Sequence, residues 1–499
     1  MEHDTSEGKP AEDPAARVER TEEDTAKTAL DPENMSQPKP SGLKVYNTLT
    51  RHLDDFEPIH PGRVNMFVCG PTVYDVSHIG HGKSYVAYDI IARYLRKKGY
   101  SVFFVLNITD IDDKIINRAK ETHVDPLFLS ERYAQSFYKD MKDLQVNSIN
   151  LYAKASDYIP EIINQIQGLI DKGIGYKIAG GVYYNISKFP EYGKLSRQNL
   201  EQLTVHRVDP DPEKRNPGDF VLWKAQKPGE IAWDSPWGKG RPGWHIEDTA
   251  IALTHFGPTY DLHGGGTELI FPHHEAEIAQ AEGLTGKKPL AKYWAHTGLL
   301  IIKGQEMHKS LGNFVPIQEA IQKVGVEALR VLYASTHYRS PLDYTEETLV
   351  QAASLARRFR RAYDELQQAT RVRSDSNPAN DALKRQVDEA RTEFFAAMDD
   401  DFNTARALSA YIRIVGIAEE QGKSLRTESA SMLLEAMKEL SSILGLLGTD
   451  SMPRREFLDL VTLLNSLRNE LRAKREYTLS DRIREQMQKA GVLVEDEAK

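Results

Sequence analysis

The stretch that most constrains the fold lies between residues 64 and 121, where strand and helix signals alternate. Val64–Val68 is a short apolar run that breaks at Cys69-Gly70-Pro71-Thr72. From Gly80 to Lys98, Val86, Ile90, Ile91 and Leu95 recur at helical spacing, and Gly99 supplies a stop. Ser101–Ile108 is a second apolar run, of the kind buried on both faces in a parallel sheet, and Asp112–Glu121 reads as the next helix. Strand, helix, strand, helix predicts an α/β fold with an open parallel sheet. Ligands of such sheets bind beyond the carboxyl ends of strands, where Cys69 and Thr109 both stand.

The rest of the chain divides by composition. Residues 1–41 hold 11 acidic and 5 basic residues and few large apolar ones. Such a segment cannot bury enough surface to offset chain entropy, so a disordered acidic tail is expected there. That tail carries −6 of the chain's net −9, so overall charge does not exclude nucleic acid as a partner. Helical patterns run to about Gly173. A Gly-, Pro- and Trp-rich stretch, Gly180–Gly243, has short strands such as Gly181–Ile186 and reads as an insertion. Sheet character returns at Tyr260–His263 and Ala295–Ile302. From Ile317 onward the pattern is helical, with breaks at Asn377-Pro378 and Asp450–Pro453. No run of ~18 apolar residues predicts a membrane span. The start Met1-Glu2-His3-Asp4 lacks an apolar core, and the single cysteine, Cys69, excludes an intrachain disulfide. A cytoplasmic, reducing setting is therefore expected.

Four motifs carry chemistry. His78-Ile79-Gly80-His81 opens a helix directly after a strand and turn, where a helix N-terminus favours phosphate and two imidazoles can donate to it. Gly82-Lys83-Ser84 is not a P-loop, because Ser77 stands where that motif needs glycine. Glu306-Met307-His308-Lys309-Ser310 places a lysine and a serine in a loop before a helix, suited to a leaving polyphosphate. Asp261-Leu262-His263-Gly264-Gly265-Gly266 precedes Phe271-Pro272-His273-His274-Glu275-Ala276-Glu277, in which His273 and Glu277 share a helix face as a workable metal-ligand pair. Trp244-His245-Ile246-Glu247-Asp248 is the fourth. The literal G-x-G-x-x-G at Gly238–Gly243 contains Pro242 and follows no strand, so it is a decoy for dinucleotide binding.

These motifs, in this order, resemble the class I aminoacyl-tRNA synthetases, and within them the cysteinyl-tRNA synthetase family. His78–His81 matches the HIGH signature, and Met307-His308-Lys309-Ser310 resembles the KMSKS loop. Phe67–Asp75, Asn107–Lys114, Trp233–Trp237, Trp244–Glu247 and the run from the three glycines to His-His-Glu are similar to that family in particular. Glu327-Ala328-Leu329-Arg330 resembles its DALR segment. The resemblance, from about Lys44 to Glu495, implies a Rossmann-type catalytic domain in two halves, 42–155 and 242–325, around an inserted connective domain, 156–241. An all-α anticodon-binding helical bundle at 326–450 and a small helical segment at 451–499 would follow.

The resemblance also implies roles. His78, His81 and Lys309 would be catalytic, and Gly80 and Ser310 would join them in binding ATP with Mg2+. Thr109, Trp244 and His263 would line the pocket for L-cysteine. One Zn2+ would be held by Cys69, Asp248, His273 and Glu277, with Asp248 standing where the family has a second cysteine. A thiolate, an imidazole and two carboxylates remain within zinc's ligand range, though harder than a two-thiolate set. Glu306 and His308 also depart from the family loop, and the chain stops at Lys499 without the family's Gly-Thr and Trp-containing end. A metal suits this substrate, since coordination deprotonates a thiol outright and so separates cysteine from serine. The expected partners are tRNA(Cys), ATP and L-cysteine, with no membrane, and a monomer is expected. Two basic stretches are candidate RNA contacts: Arg454–Lys489, with 9 basic and 6 acidic residues, and Arg357-Arg358-Phe359-Arg360-Arg361. Three other readings are a cysteine ligase acting on an amino-sugar acceptor, an RNA-binding paralogue without cysteine activation, and a metallohydrolase at His273 and Glu277.

Overall fold

A computed structural model describes residues 42–198, 213–302, 304–307, 312–372, 381–421 and 427–447, with parts of 468–489. The expected tail 1–41 and most of 451–499 lie outside the described residues.

The centre is a five-stranded, all-parallel sheet. Its spatial order is Ala291–Thr297, Tyr260–Gly266, Arg63–Val68, Ser101–Ile108 and Leu151–Lys154. The chain lays down the middle strand, Arg63–Val68, first. It then adds two strands on one side before crossing to add two on the other. The direction reverses between Arg63–Val68 and Tyr260–Gly266, which opens a crevice at their carboxyl ends.

Both faces of this sheet are buried, as the continuous apolar runs require. Met66, Val68, Phe104 and Leu106 join one core with the helix Ile79–Lys97. Their neighbours Phe67 and Val105 point to a second core with the helices Ile159–Asp171, Ile246–Phe256 and Glu275–Thr285. The alternation follows from the period of two along a strand.

Leu151–Lys154 departs from the sequence reading, which runs helix through to Gly173. Its four residues pair with Val105–Ile108 as the sheet's outer strand. It is short and half exposed, so no apolar run announces it. Within the Gly- and Pro-rich stretch, Gly175–Ile178, Gly181–Tyr184, Phe220–Ala225 and Gly240–Pro242 form a four-stranded antiparallel sheet. Lys224 and Arg241 of that sheet both pair with Asp113, at the start of the helix Asp113–Thr122.

The C-terminal half is helical: Val326–Ala334, Glu346–Val372, Asp381–Asp399, Thr404–Gln421 and Thr427–Leu444. Its apolar faces merge with the core beneath the helix Ile79–Lys97. A buried ion pair crosses that junction, with Arg330 Nη2 donating to Asp89 Oδ2 at 2.7 Å. Lys97 and Lys98, at the far end of the same helix, pair with Glu439 and Asp399.

Candidate active site and metal centre

The helix Ile79–Lys97 begins at the switch-point crevice, and its first residues are organised by each other. His78 is the N-cap. Its Nδ1 accepts from the backbone N–H groups of Gly80 at 3.1 Å and His81 at 3.4 Å. His81 Nδ1 accepts in return from the His78 backbone N–H at 3.4 Å. With both Nδ1 atoms accepting, each neutral ring carries its proton on Nε2. Burial first, then His78 and Lys114, pushes the His81 pKa well below the usual histidine value, so that ring stays neutral. The two rings stack at 3.8 Å. Gly80 is required here, because a Cβ would lie 2.9 Å from His78 Nδ1 and break the cap.

Phe314 packs edge-on against His78, and the Ile79 N–H donates to Val315 O at 3.1 Å. Met307 Cε lies 3.6 Å from where a Cβ on Gly80 would sit. The segment that enters the lysine loop and the one that leaves it therefore both rest on this helix start. Lys309, Ser310 and His308 themselves lie outside the described residues.

A cavity of about 340 Å3 fills the crevice, lined in part by Cys69, His78, His81, Lys114, Trp244 and Glu268. Behind it sits a buried cluster drawn from four segments. Cys69 follows the middle strand, Asp248 is in the first turn of Ile246–Phe256, and His273 and Glu277 lie one helical turn apart. His273 Nε2 is 3.5 Å from Cys69 Sγ, 3.2 Å from Asp248 Oδ2 and 3.2 Å from Glu277 Oε1. Burial, reinforced by Asp248 and Glu277, pushes the Cys69 thiol well above its ordinary value. Burial and Asp248 likewise raise Glu277.

The surroundings hold these groups in place. His273 turns its other nitrogen to His245 Nδ1 at 2.8 Å, and Trp244 stacks on its ring at 4.2 Å. Asn107 donates to Asp248 Oδ1 at 2.6 Å. Tyr88 lies across Gly264 and bonds Gly265 O at 2.7 Å and Ala295 O at 2.8 Å, which pins the glycine-rich strand end.

Asp248, His273 and Glu277 come close enough together to hold a metal ion, and Cys69 Sγ lies beside His273. Zinc bonds of about 2.0–2.3 Å in tetrahedral geometry separate donor atoms by ~3.3–3.8 Å. The distances about His273 Nε2, 3.2 to 3.5 Å, match that spacing. Glu277 Oε1 is buried without a hydrogen bond, although it faces His273. Of the other residues named from sequence, Trp244 lines the cavity. His263 lies deeper, bonded to Tyr260 at 2.6 Å with Nε2 3.5 Å from Glu277. Thr109 is buried beside Asn107. Sequence reasoning does not single out Asn107 or His245, which touch the cluster only through Asp248 and His273.

The family model described as "tRNA synthetases class I (C) catalytic domain" matches residues 55–354, and a DALR domain matches residues 393–448. A cysteine–tRNA ligase of Thermococcus onnurineus is 44% identical over 464 residues, covering 91% of this chain and 97% of that protein. The chain belongs to the cysteine–tRNA ligase family. Another member, from Pyrococcus horikoshii, is 44% identical and covers 92% of this chain and 98% of its own length. The member from Aquifex aeolicus is 41% identical over 481 residues, covering 91% and 97%. The family's fold extends to more distant synthetases. Mycobacterium tuberculosis methionyl-tRNA synthetase bound by methionyl-adenylate superimposes with a TM-score of 0.59 at 14% identity, covering 77% of this chain and 92% of that one.

Proposed function

We propose that this chain is an ATP-dependent cysteine–tRNA ligase. It activates L-cysteine and transfers it to the 3′ end of tRNA(Cys). The observation that carries this reading is the position of the buried Asp248–His273–Glu277 triad, with Cys69 Sγ 3.5 Å from His273 Nε2, behind the stacked His78–His81 pair at the sheet's switch point. Of the proposed ligands, Cys69 lines the same cavity as His78 and His81.

In the first step a carboxylate oxygen of cysteine attacks the α-phosphorus of ATP, and the bond to pyrophosphate breaks. Little covalent work falls to the protein, so alignment and charge stabilisation dominate. His78 and His81 donate their Nε2 protons as hydrogen bonds to phosphate oxygens. Lys309 and Ser310 would stabilise the departing pyrophosphate, and the anchoring of Met307 and Phe314 on either side of their loop supports that role. ATP enters with Mg2+. Gly80 keeps the helix start open to the nucleotide. In the second step a ribose hydroxyl of the terminal adenosine attacks the activated carbonyl and AMP leaves.

Cys69, Asp248, His273 and Glu277 are the residues that would hold one Zn2+. When bound, that ion supplies a Lewis acid that takes a substrate sulfur as thiolate and a serine hydroxyl poorly. Trp244 closes the cavity over the cluster, and Thr109 and His263 support the pocket from behind. The helical region bears a groove of about 800 Å3 lined by Arg357, Arg360 and Arg361 but also by Glu327, Asp364 and Glu365, and tRNA is the partner this reading gives to that region. The chain works as a cytoplasmic monomer with a catalytic region divided at 156–241 and an anticodon-binding region at 326–450. No helix among the described residues is long and apolar enough to cross a membrane.

ATP–pyrophosphate exchange dependent on cysteine, followed by charging of tRNA(Cys), tests this reading. RNA binding without exchange would favour a paralogue that does not activate cysteine. Exchange with transfer to an amino sugar and none to tRNA would favour a ligase of that kind.

A further inference from the structure

Asn107 occupies the second-last position of the strand Ser101–Ile108, fully buried among the ligand segments. Its Oδ1 accepts from the Gly70 N–H at 2.5 Å, and its Nδ2 donates to Asp248 Oδ1 at 2.6 Å. These two partners fix the amide's orientation. A flipped amide would set donor against donor at Gly70 and acceptor against carboxylate at Asp248. Gly70 follows Cys69, so one side chain ties the Cys69 segment to the helix that bears Asp248.

The consequence falls on the carboxylate. A free carboxylate can offer a cation either oxygen or both, and so can shift among several poses. With Oδ1 taken by Asn107, only Oδ2 faces His273 Nε2, at 3.2 Å. A thiolate at the same position has a single donor atom and needs no such selection. We propose that Asn107 is a positioning residue for metal binding. It makes Asp248 a one-oxygen ligand, so that this chain binds zinc through one sulfur, one nitrogen and two oxygens. The inference rests on the metal reading of the preceding section.

The test uses the full chain under reducing conditions, with four proteins: unaltered, N107A, D248C and the double variant. Zinc affinity is measured by chelator competition, and ligand type from the absorption of the Co2+-loaded protein. In the unaltered background, N107A should weaken zinc binding by about 10- to 100-fold, the usual effect of losing a partner behind a metal ligand. In the D248C background the same change should cost no more than about twofold, within ordinary additivity. The Co2+ spectrum of D248C should show roughly twice the thiolate charge-transfer intensity of the unaltered chain, as its ligand count requires.

Equal losses in both backgrounds would overturn the proposal, because Asn107 would then act only by holding Gly70. Unchanged affinity in N107A, or matching Co2+ spectra, would also overturn it. If N107A does not fold, N107S is read by the same criteria. Failure of the unaltered chain to bind either ion would instead remove the metal reading itself.

Discussion

Arg330→Met should destabilise the chain by about 2–6 kcal/mol, from two buried carbonyls left unsatisfied. Arg330 is fully buried between the sheet's helix Ile79–Lys97 and the helical region. Its guanidinium donates to Asp89 Oδ2 at 2.7 Å, to Leu144 O at 2.8 Å, to Gln145 O at 3.2 Å and twice to Leu444 O at 3.0 and 3.1 Å. Asp89 would not be stranded by the change. It keeps Arg93 Nε at 2.7 Å and the backbone N–H groups of Asn147 and Ser148 at 3.2 and 3.1 Å. Gln145 O also keeps Arg93. The loss therefore falls on the carbonyls of Leu144 and Leu444, at about 1–3 kcal/mol for each one left unsatisfied, plus the weakened charge pairing of Asp89. Urea unfolding followed by tryptophan fluorescence and circular dichroism reads the midpoint. Arg93→Met is the comparison, since that side chain is partly exposed and makes the weaker half of the arrangement. A midpoint for Arg330→Met that matches the unaltered chain, or one no lower than that of Arg93→Met, would refute the reasoning.

Acid should expose the same pair. Burial pushes the Asp89 carboxyl up, but Arg330 and Arg93 outweigh it and hold the group below its ordinary value. A depressed carboxylate contributes stability above its unfolded pKa of about 3.9, and that contribution disappears as pH falls through the folded value. Unfolding monitored below about pH 4 should therefore be steeper in the unaltered chain than in Arg330→Met, and parallel curves would contradict this. Gly80→Ala should cost about 0.5–2 kcal/mol of helix capping and lower the rate of pyrophosphate exchange more than it lowers stability; exchange at the unaltered rate would count against the His78 cap as the organiser of the site. Cys69→Ser should abolish both stoichiometric zinc and cysteine activation while leaving the circular dichroism spectrum unchanged. Retention of metal and exchange together would sink the ligand assignment. Loss of His245, whose Nδ1 lies 2.8 Å from His273's outer nitrogen, should weaken zinc binding by about tenfold or more without changing the ligand spectrum, and an unaltered affinity would argue against that role.

The α/β sheet was legible because its central strands are buried on both faces and leave continuous apolar runs. The helix Ile79–Lys97 carried its own start and stop signals. Leu151–Lys154 was not legible: four residues at an outer position give too short a pattern to interrupt the helical reading around them. His78, Cys69 and His273 could be proposed from sequence because each carries its chemistry in its own side chain. Asn107 and His245 stand within the quoted stretches Asn107–Lys114 and Trp244–Asp248, but neither shows in sequence that its side chain contacts Asp248 or His273. Arg330 was visible as part of a family signature, yet nothing in a lone arginine reveals full burial across a junction between helices. That required the carbonyls of Leu144 and Leu444, 186 and 114 residues away, to be brought to it.

ATP–pyrophosphate exchange on the purified, zinc-loaded chain, with cysteine and serine supplied separately, puts the central claim to its most direct test. The account predicts exchange with cysteine and none above background with serine. A folded, metal-loaded protein that shows no exchange with cysteine, or equal exchange with both amino acids, would contradict it.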